Sequence, residues 1–487
     1  MGAQVSSAVA QWQAQETLSS ALARFVAQAE DTCVPSAVHE KVALHVLDTL
    51  GVALAAVGSD FAGAAWRAVD ALGSPGAATC IGRSQAAAPA WAALANGILA
   101  HGLDYDDTHA ESVVHVSAPV VPAALAVAES IGAAKRDFLT AVALGMETSV
   151  RIAVAAPGAF HDRGFHPTPI AGTFGATVAA ARLLHLNEEQ IGFALGLAGS
   201  QAAGTLEFLG DGSWSKRLHA GWAAHAGVVA ATFGRERFSG PAAVLEGRFG
   251  LYRTHLGDAG WKGEVVCDRL GSHWRLLEVS LKPYAACHMT HACCDAARKL
   301  RLRPGFALEE IERVECWVHP RVFPVVCEPR KEKLRPSTDY QAKFSLPYTV
   351  ACMLVRGRLT LQDFSPEAIR DEAVLALAQR IACVRDPASR YPEFFDGRVR
   401  LFLRSGDVWE EAQPINRGHP QLPLTRAEVE EKFRANAVPV LGRHRAEAVA
   451  QWLSSAGEGE SVRPLCRWLR PPVRRNKRWR ASPETQA

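Results

Sequence analysis

Over its first 260 residues the chain is dominated by Ala, Gly and Leu, with few of the alternations that mark strands. Small residues at helical spacing let helix axes approach closely, and runs apolar on more than one face belong inside a bundle. The spacing predicts helices over Val42–Val57, Ala87–Leu103, Val121–Ile131, Phe138–Ala155, Ile170–Leu184 and Gln190–Gly204. Asn187, with Gln190 three residues on, has the form of a capping box opening one of them. No repeat of fixed period is visible. Val42–Val57 is the longest apolar stretch, but His45 and Asp48 interrupt it. It therefore reads as a buried helix, since a membrane span needs about 20 cleaner residues.

The texture changes after Trp274. Ile311–Val318 places Val314, Cys316 and Val318 on one face, a strand pattern. Val399–Leu403, Ser405-Gly406-Asp407 and Val408-Trp409 read as a hairpin. Helical stretches lie between them at His291–Leu300, Tyr348–Val355 and Pro366–Ala378. Thr425 and Glu428 form a second capping box before Val429–Asn436, and Ala446–Ser455 is the last helix. The expectation is a mostly α protein: a large all-helical domain over 15–275 and 415–468, an inserted α+β domain over 276–414, and a basic tail over 469–487.

At 487 residues, with 48% hydrophobic and 21% charged, the chain is neither disordered nor a strongly basic nucleic-acid binder. Its formal net charge of +3 belongs to the tail, where Arg470, Arg474, Arg475, Lys477, Arg478 and Arg480 meet one acid, Glu484. Such a terminus reads as a solvated end, and no nucleic-acid or membrane partner is expected. The eleven cysteines are scattered without a CxxC pair, and no secretory segment is recognisable, which favours reduced thiols in a cytoplasm.

No phosphate loop, dinucleotide fingerprint, HExxH or GxSxG elbow is present. The cluster Cys287-His288-Met289-Thr290-His291-Ala292-Cys293-Cys294 offers soft ligands, but its spacing fits no common metal site, and buried cysteines on a helix face explain it. No metal is expected.

Polar residues concentrate in four segments. His101-Gly102-Leu103-Asp104-Tyr105-Asp106-Asp107-Thr108-His109, running on to His115, puts three acids at a helix C-terminus, the wrong end of the dipole, so another group must hold them. Gly164-Phe165-His166-Pro167-Thr168 precedes a helix whose N-terminus can receive a carboxylate. Lys216, Arg217 and His219 follow a turn and precede an apolar helix over Trp222–Phe233. Lys282–His288 sits where the helical body gives way to the insert, a favoured place for a ligand cleft. Each segment alone is explained by a solvated loop or linker.

Together they suit a small anion. Taking a proton from carbon beside a carboxylate builds up negative charge, which Lys216, Arg217 and Lys282 can stabilise while a histidine moves the proton. Elimination of water, decarboxylation and epimerisation all share this demand, and the residues alone go no further.

These segments resemble the MmgE/PrpD family, which includes 2-methylcitrate dehydratase, cis-aconitate decarboxylase and iminodisuccinate epimerase. The resemblance runs through Asn96 and His101–His109, Val114–Pro122, Gly164–Thr168, Ala198–Gln201 with Asp211–His219, Glu246–Gly250, Leu281–Tyr284 with His288, and Lys343–Tyr348, across about residues 15 to 455. It implies a helical domain built from both chain ends, an α+β lid, a homodimer, a site between the domains, and no metal or organic cofactor. It carries site roles to Asp104, Thr108, His115, His166, Lys216, Lys282, His288 and Tyr348. His115 would be the acid or base at carbon, with His109 a competitor because this loop is one residue longer than in the animal decarboxylase. Lys216, Lys282 and His166 would hold carboxylates, with His288 and Arg217 beside them, while Tyr348 and Asp104 orient groups or relay protons. The loop after Asp107 departs from that of the propionate-pathway dehydratases. The expected activity is cofactor-independent lyase chemistry on a small di- or tricarboxylate, led by dehydration of a 2-methylcitrate-like compound. Decarboxylation of a cis-aconitate type and epimerisation using His115 and His288 are the alternatives; a scaffold tethered by the tail is a third class.

Overall fold

A computed structural model describes residues 16–30, 34–73 and 75–471. Arg474, Arg475, Lys477, Arg478, Arg480 and Glu484 of the tail lie outside the described residues. Helix accounts for 57% of the chain and the sheets are small, so the fold is mostly α. The long helices of the first part are α1 (Ser36–Ala55), α2 (Pro89–His101), α3 (Ser117–Ile131), α4 (Lys135–Val154), α5 (Pro167–Leu183) and α6 (Ser215–Arg235). Helices α7 (His291–Arg301) and α8 (Leu346–Arg356) belong to the second part, and α9 (Arg426–Leu441) returns to pack on α1.

Small residues set the spacing of the bundle. In α5 every residue except Arg182 is buried, as a helix surrounded by α3, α4 and α6 requires. Where α2 crosses α6, a Cβ added to Gly97 would lie 2.7 Å from Gly221 Cα, a separation no larger residue tolerates. Helix α1 is apolar and long enough to cross a membrane by composition, yet 72% of that window is buried within the protein. Both capping boxes form, at Asn187/Gln190 and Thr425/Glu428.

Most helix boundaries shift by a few residues from the sequence expectation, as where Ser36–Ala55 replaces Val42–Val57, and three of the differences have a structural consequence. The helix expected at Trp222 begins at Ser215, so Lys216, Arg217 and His219 occupy its first turns instead of a preceding loop. Cations there oppose the helix dipole, and tertiary partners described below offset the cost. The helix expected over Gln190–Gly204 runs Glu188–Gly199. Pro366–Ala378 divides into a short 3-10 turn, Ala368–Arg370, and a helix, Glu372–Gln379, because the Asp371 side chain caps the second by accepting from Ala373 N–H.

One short antiparallel pair, β1 (Thr108–His109) with β2 (Val279–Ser280), was not legible in the sequence; it opposes Thr108 to Ser280. The second part carries β3 (Ile311–Val318), β4 (Ile381–Arg385), β5 (Gly397–Leu403) and β6 (Val408–Gln413) in the order β4-β3-β5-β6. β3 is parallel to β4 and antiparallel to β5, with Cys316 opposite Cys383 and Val399. β5 and β6 form the expected hairpin, turning at Gly406 with φ +91. Val314, Cys316 and Val318 face inward. Two hydrophobic cores result. One draws on Leu22 to Leu281 and Leu424 to Leu469; the other draws on Tyr284 to Leu401 with Val52 and Tyr105.

Candidate active site

Helix α2 ends at His101, and the chain turns sharply through Asp104, which holds φ +56. That conformation is costly for most side chains but tolerated by Asp. It presents the carboxylate to two lysines: Lys216 Nζ, from the first turn of α6, donates to Oδ1 at 2.5 Å, and Lys282 Nζ donates to Oδ2 at 3.3 Å and to the Asp104 carbonyl at 2.9 Å. Burial alone would raise the Asp104 pKa, but Lys216 and Lys282 overcome it and hold the carboxyl well below its usual range. Burial works against the Lys216 charge too, and Asp104 reverses it, raising that pKa. This is the partner that the first turn of α6 needs. Lys343 donates to the Leu103 carbonyl at 2.9 Å, and burial brings its pKa down to about 8. Lys432 of α9 pairs with Asp48 at 2.7 Å and donates to the carbonyls of Tyr105 and Lys282, clamping both loops.

The other two acids of the segment are held separately. Asp107 accepts from Val116 and Ser117 N–H at 3.1 Å each, satisfying orphan donors at the start of α3, and from His45 Nδ1 at 2.7 Å. Asp106 accepts from His101 Nδ1 at 2.7 Å and lies 3.3 Å from His115 Nδ1. Against the cost of burial, His115 and His101 hold Asp106 ionised. His115 Nδ1 also donates to the Asp107 carbonyl at 2.9 Å, so the proton sits on Nδ1 and Nε2 keeps its lone pair.

Asp104, Thr108, His115, His166, Lys216, Lys282 and His288 line one cavity of about 100 Å³, sized for a small molecule. Apolar groups complete it, chiefly Val113, Phe208, Met289, Phe344 and Phe395. His166 occupies the N-cap position of α5 without a side-chain cap bond, and its Nδ1 lies 3.0 Å from His219 Nδ1. Pro167 and Pro169 follow it, so that helix end lacks two of the N–H groups expected to receive a carboxylate. Burial keeps His166 and His288 neutral, with His101 adding to the effect on His166 and His291 to that on His288. His288 Nε2 lies 2.6 Å from Asn416 Nδ2 and its Nδ1 has no partner.

Two expected residues are elsewhere. Tyr348 donates its hydroxyl to the carbonyls of Asp363 at 2.6 Å and Ala368 at 3.1 Å and does not line the cavity. Ser345 caps α8 and starts a new helix, which turns Tyr348 into the second core. Arg217 points away from the cavity, with its guanidinium 4.4 Å from the Phe61 ring centroid and 3.9 Å from Asp339. His109, the competitor for His115, bonds Ser112 and Glu278 and lies outside the lining.

Other polar residues lie beside the site without lining the cavity. The Tyr340 hydroxyl is buried without a hydrogen-bond partner, and its charged neighbours include Lys216 and Asp104; burial pushes its pKa up to about 12. Lys343, His101 and Asp106 were inside recognised motifs but had no assigned role; Tyr340 carried no signal beyond its nearness to Lys343. Among the described residues, His101, Asp106 and His115 place ligand-type atoms within 4.8 Å of one another, as do His109, Glu111 and Glu278. The cysteine–histidine cluster disperses: His291 donates to Ala286 O, and the Cys293 thiol faces strand carbonyls.

A cavity that brings two ammonium groups and an imidazole with a free lone pair into one lining suits the chemistry of a lyase. The chain matches the MmgE/PrpD N-terminal domain over residues 20–264 and the MmgE/PrpD C-terminal domain over residues 284–455. It belongs to the MmgE/PrpD family and is a lyase of that family. A cis-aconitate decarboxylase-like protein of Aspergillus oryzae is 26% identical over 463 residues, covering 91% of this chain and 95% of its own length. Human cis-aconitate decarboxylase is 27% identical over 400 residues, 79% of this chain and 80% of its own. The Aspergillus terreus cis-aconitate decarboxylase is 26% identical over 473 residues, 91% and 93% respectively.

Proposed function

We propose that this lyase removes CO₂ from a small unsaturated tricarboxylate of the cis-aconitate type. The likeness to cis-aconitate decarboxylases favours this over the 2-methylcitrate-like dehydration that leads the expectation from the sequence, and the loop after Thr108 already departs from the propionate-pathway dehydratases. The observation that carries it is the convergence of Lys216 and Lys282 on one carboxylate in a cavity otherwise rich in apolar side chains. An apolar wall disfavours a carboxylate and accepts neutral CO₂, while ammonium groups stabilise the charge left behind. The bond to the departing carboxyl breaks, and its electron pair spreads through the alkene to the carbon beside a second carboxylate. His115 takes up a proton from solvent on its free Nε2 lone pair and delivers it to that carbon, so one proton is consumed for each CO₂ released. Asp106 supports the imidazolium, and His166 and His288 offer neutral hydrogen bonds to the remaining carboxylates.

The test is to offer purified protein cis-aconitate and, separately, citrate and 2-methylcitrate, with His115→Gln as control. CO₂ release with terminal =CH₂ signals in the proton spectrum supports the proposal. New conjugated alkene from the hydroxy-acids without CO₂ establishes a hydro-lyase instead. Deuterium uptake at carbon with neither product establishes an epimerase.

A further inference from the structure

A second cavity, of about 140 Å³, adjoins the first and shares Val113, His161, Met289 and Val325 with it. It lies at the seam between the two cores. Asp162, closing the short helix Ala159–Asp162 of the first part, faces Arg321, which follows β3 of the second, at 3.6 Å. We infer that Arg321 is a carboxylate-binding residue at the mouth of the active site, exchanging Asp162 for the outermost carboxylate of an incoming tricarboxylate. The inference rests on the tricarboxylate reading above.

Several observations support the exchange. The Arg321 and Asp162 side chains are 56% and 66% exposed, and such pairs are worth about 0–1 kcal/mol, so a substrate carboxylate can displace Asp162. The guanidinium sits 5.9 Å from the Tyr391 ring centroid and lies near Gly158, where an added Cβ would meet Arg321 Nη2 at 3.9 Å, an ordinary van der Waals contact. Arginine presents a planar fork that matches a carboxylate in two hydrogen bonds. His161 stands in the wall common to both cavities; burial lowers its pKa, as do Arg321 and Lys216, while Asp162 opposes. It is therefore a neutral hydrogen-bonding group on the path. Arg321 is the cation in the lining of this second cavity, beside the acids Glu111 and Asp162, so it is the group there able to receive an anion. Inside, Lys216 and Lys282 are both paired with the Asp104 carboxylate, so the far end of a tricarboxylate needs a cation of its own.

The experiment is calorimetric titration of wild type, Arg321→Gln and Asp162→Asn with propane-1,2,3-tricarboxylate and with succinate. Both altered side chains are exposed, and thermal melting checks that each variant folds. Arg321→Gln should weaken the tricarboxylate about tenfold, the scale of a lost hydrogen bond to a charged group, and leave succinate within twofold. Asp162→Asn should tighten the tricarboxylate about two- to fivefold by freeing Arg321. Equal losses on both probes, a tricarboxylate change under twofold in Arg321→Gln, weakening in Asp162→Asn, or no binding of either probe to wild type overturns the inference. A wild type that binds the tricarboxylate but releases no CO₂ from cis-aconitate sinks the proposed activity and still leaves the Arg321 comparison decisive.

Discussion

Lys216 Nζ lies 2.5 Å from Asp104 Oδ1, a buried contact closed across 112 residues of chain. Two features that are unfavourable locally, a cation in the first turn of α6 and an acid at the end of α2, compensate each other. Lys282 reaches the same carboxylate, so Asp104 offers these ammonium groups the kind of partner a substrate carboxylate would.

Asp104→Asn isolates that charge, because Asn tolerates the positive φ at this position. Two buried ammonium groups then lack a counter-ion, and urea unfolding should show a loss of about 3–5 kcal/mol. Added propane-1,2,3-tricarboxylate should restore part of it through preferential binding to the folded state. A loss near zero would mean the lysines find other partners.

His115→Gln should cut turnover by at least about 100-fold, the usual scale of a lost general acid, while tricarboxylate binding persists. Turnover within a few-fold of wild type would send the proton-transfer role to another group lining the cavity.

The two tyrosines separate structure from site. Tyr348→Phe removes a hydroxyl bonded to two buried carbonyls and should cost about 1–2 kcal/mol in urea unfolding, with KM and kcat within about twofold. Tyr340→Phe removes a buried hydroxyl without a partner, so its stability should hold or rise. The opposite ranking of the two stabilities would reverse the assignment.

Acid should destabilise the fold beginning near pH 6.5. Burial lowers His101 and His219 to about 4 and His291 to about 3 from 6.5. Between those values the unfolded chain binds protons that the folded chain refuses, so this stability is complete above 6.5 and falls as pH drops through the window. Asp48 works in reverse: burial raises it from 3.8 to about 6, so the folded state takes up its proton first and offsets one histidine. Urea unfolding at pH 7 and pH 5 should therefore differ, by about 1.4 kcal/mol per pH unit for each excess proton bound by the unfolded chain. Equal stabilities would show that these histidines protonate without cost.

Most helices, both capping boxes and the hairpin were legible in the sequence, because those depend on neighbours a few residues apart. Asn187 finds Gln190, Thr425 finds Glu428, and Gly406 turns β5 into β6 with no help from elsewhere. The small residues at helical spacing likewise announced close packing in general, and the fold realises it where Gly97 meets Gly221. Motif residues named Asp104, Thr108, His115, His166, Lys216, Lys282 and His288, and all seven line one cavity. What only the tertiary structure decided is where a side chain goes once its helix has docked. Tyr340 and Tyr348 are eight residues apart in similar polarity, yet the helix restart at Ser345 sends Tyr348 to backbone carbonyls and leaves Tyr340 near Lys216. Arg217 follows Lys216 directly, but successive residues on a helix point about 100° apart, so one enters the cavity and the other stacks on Phe61. Local spacing fixes the face of an element; the partner that face meets is chosen by burial and charge pairing across more than a hundred residues.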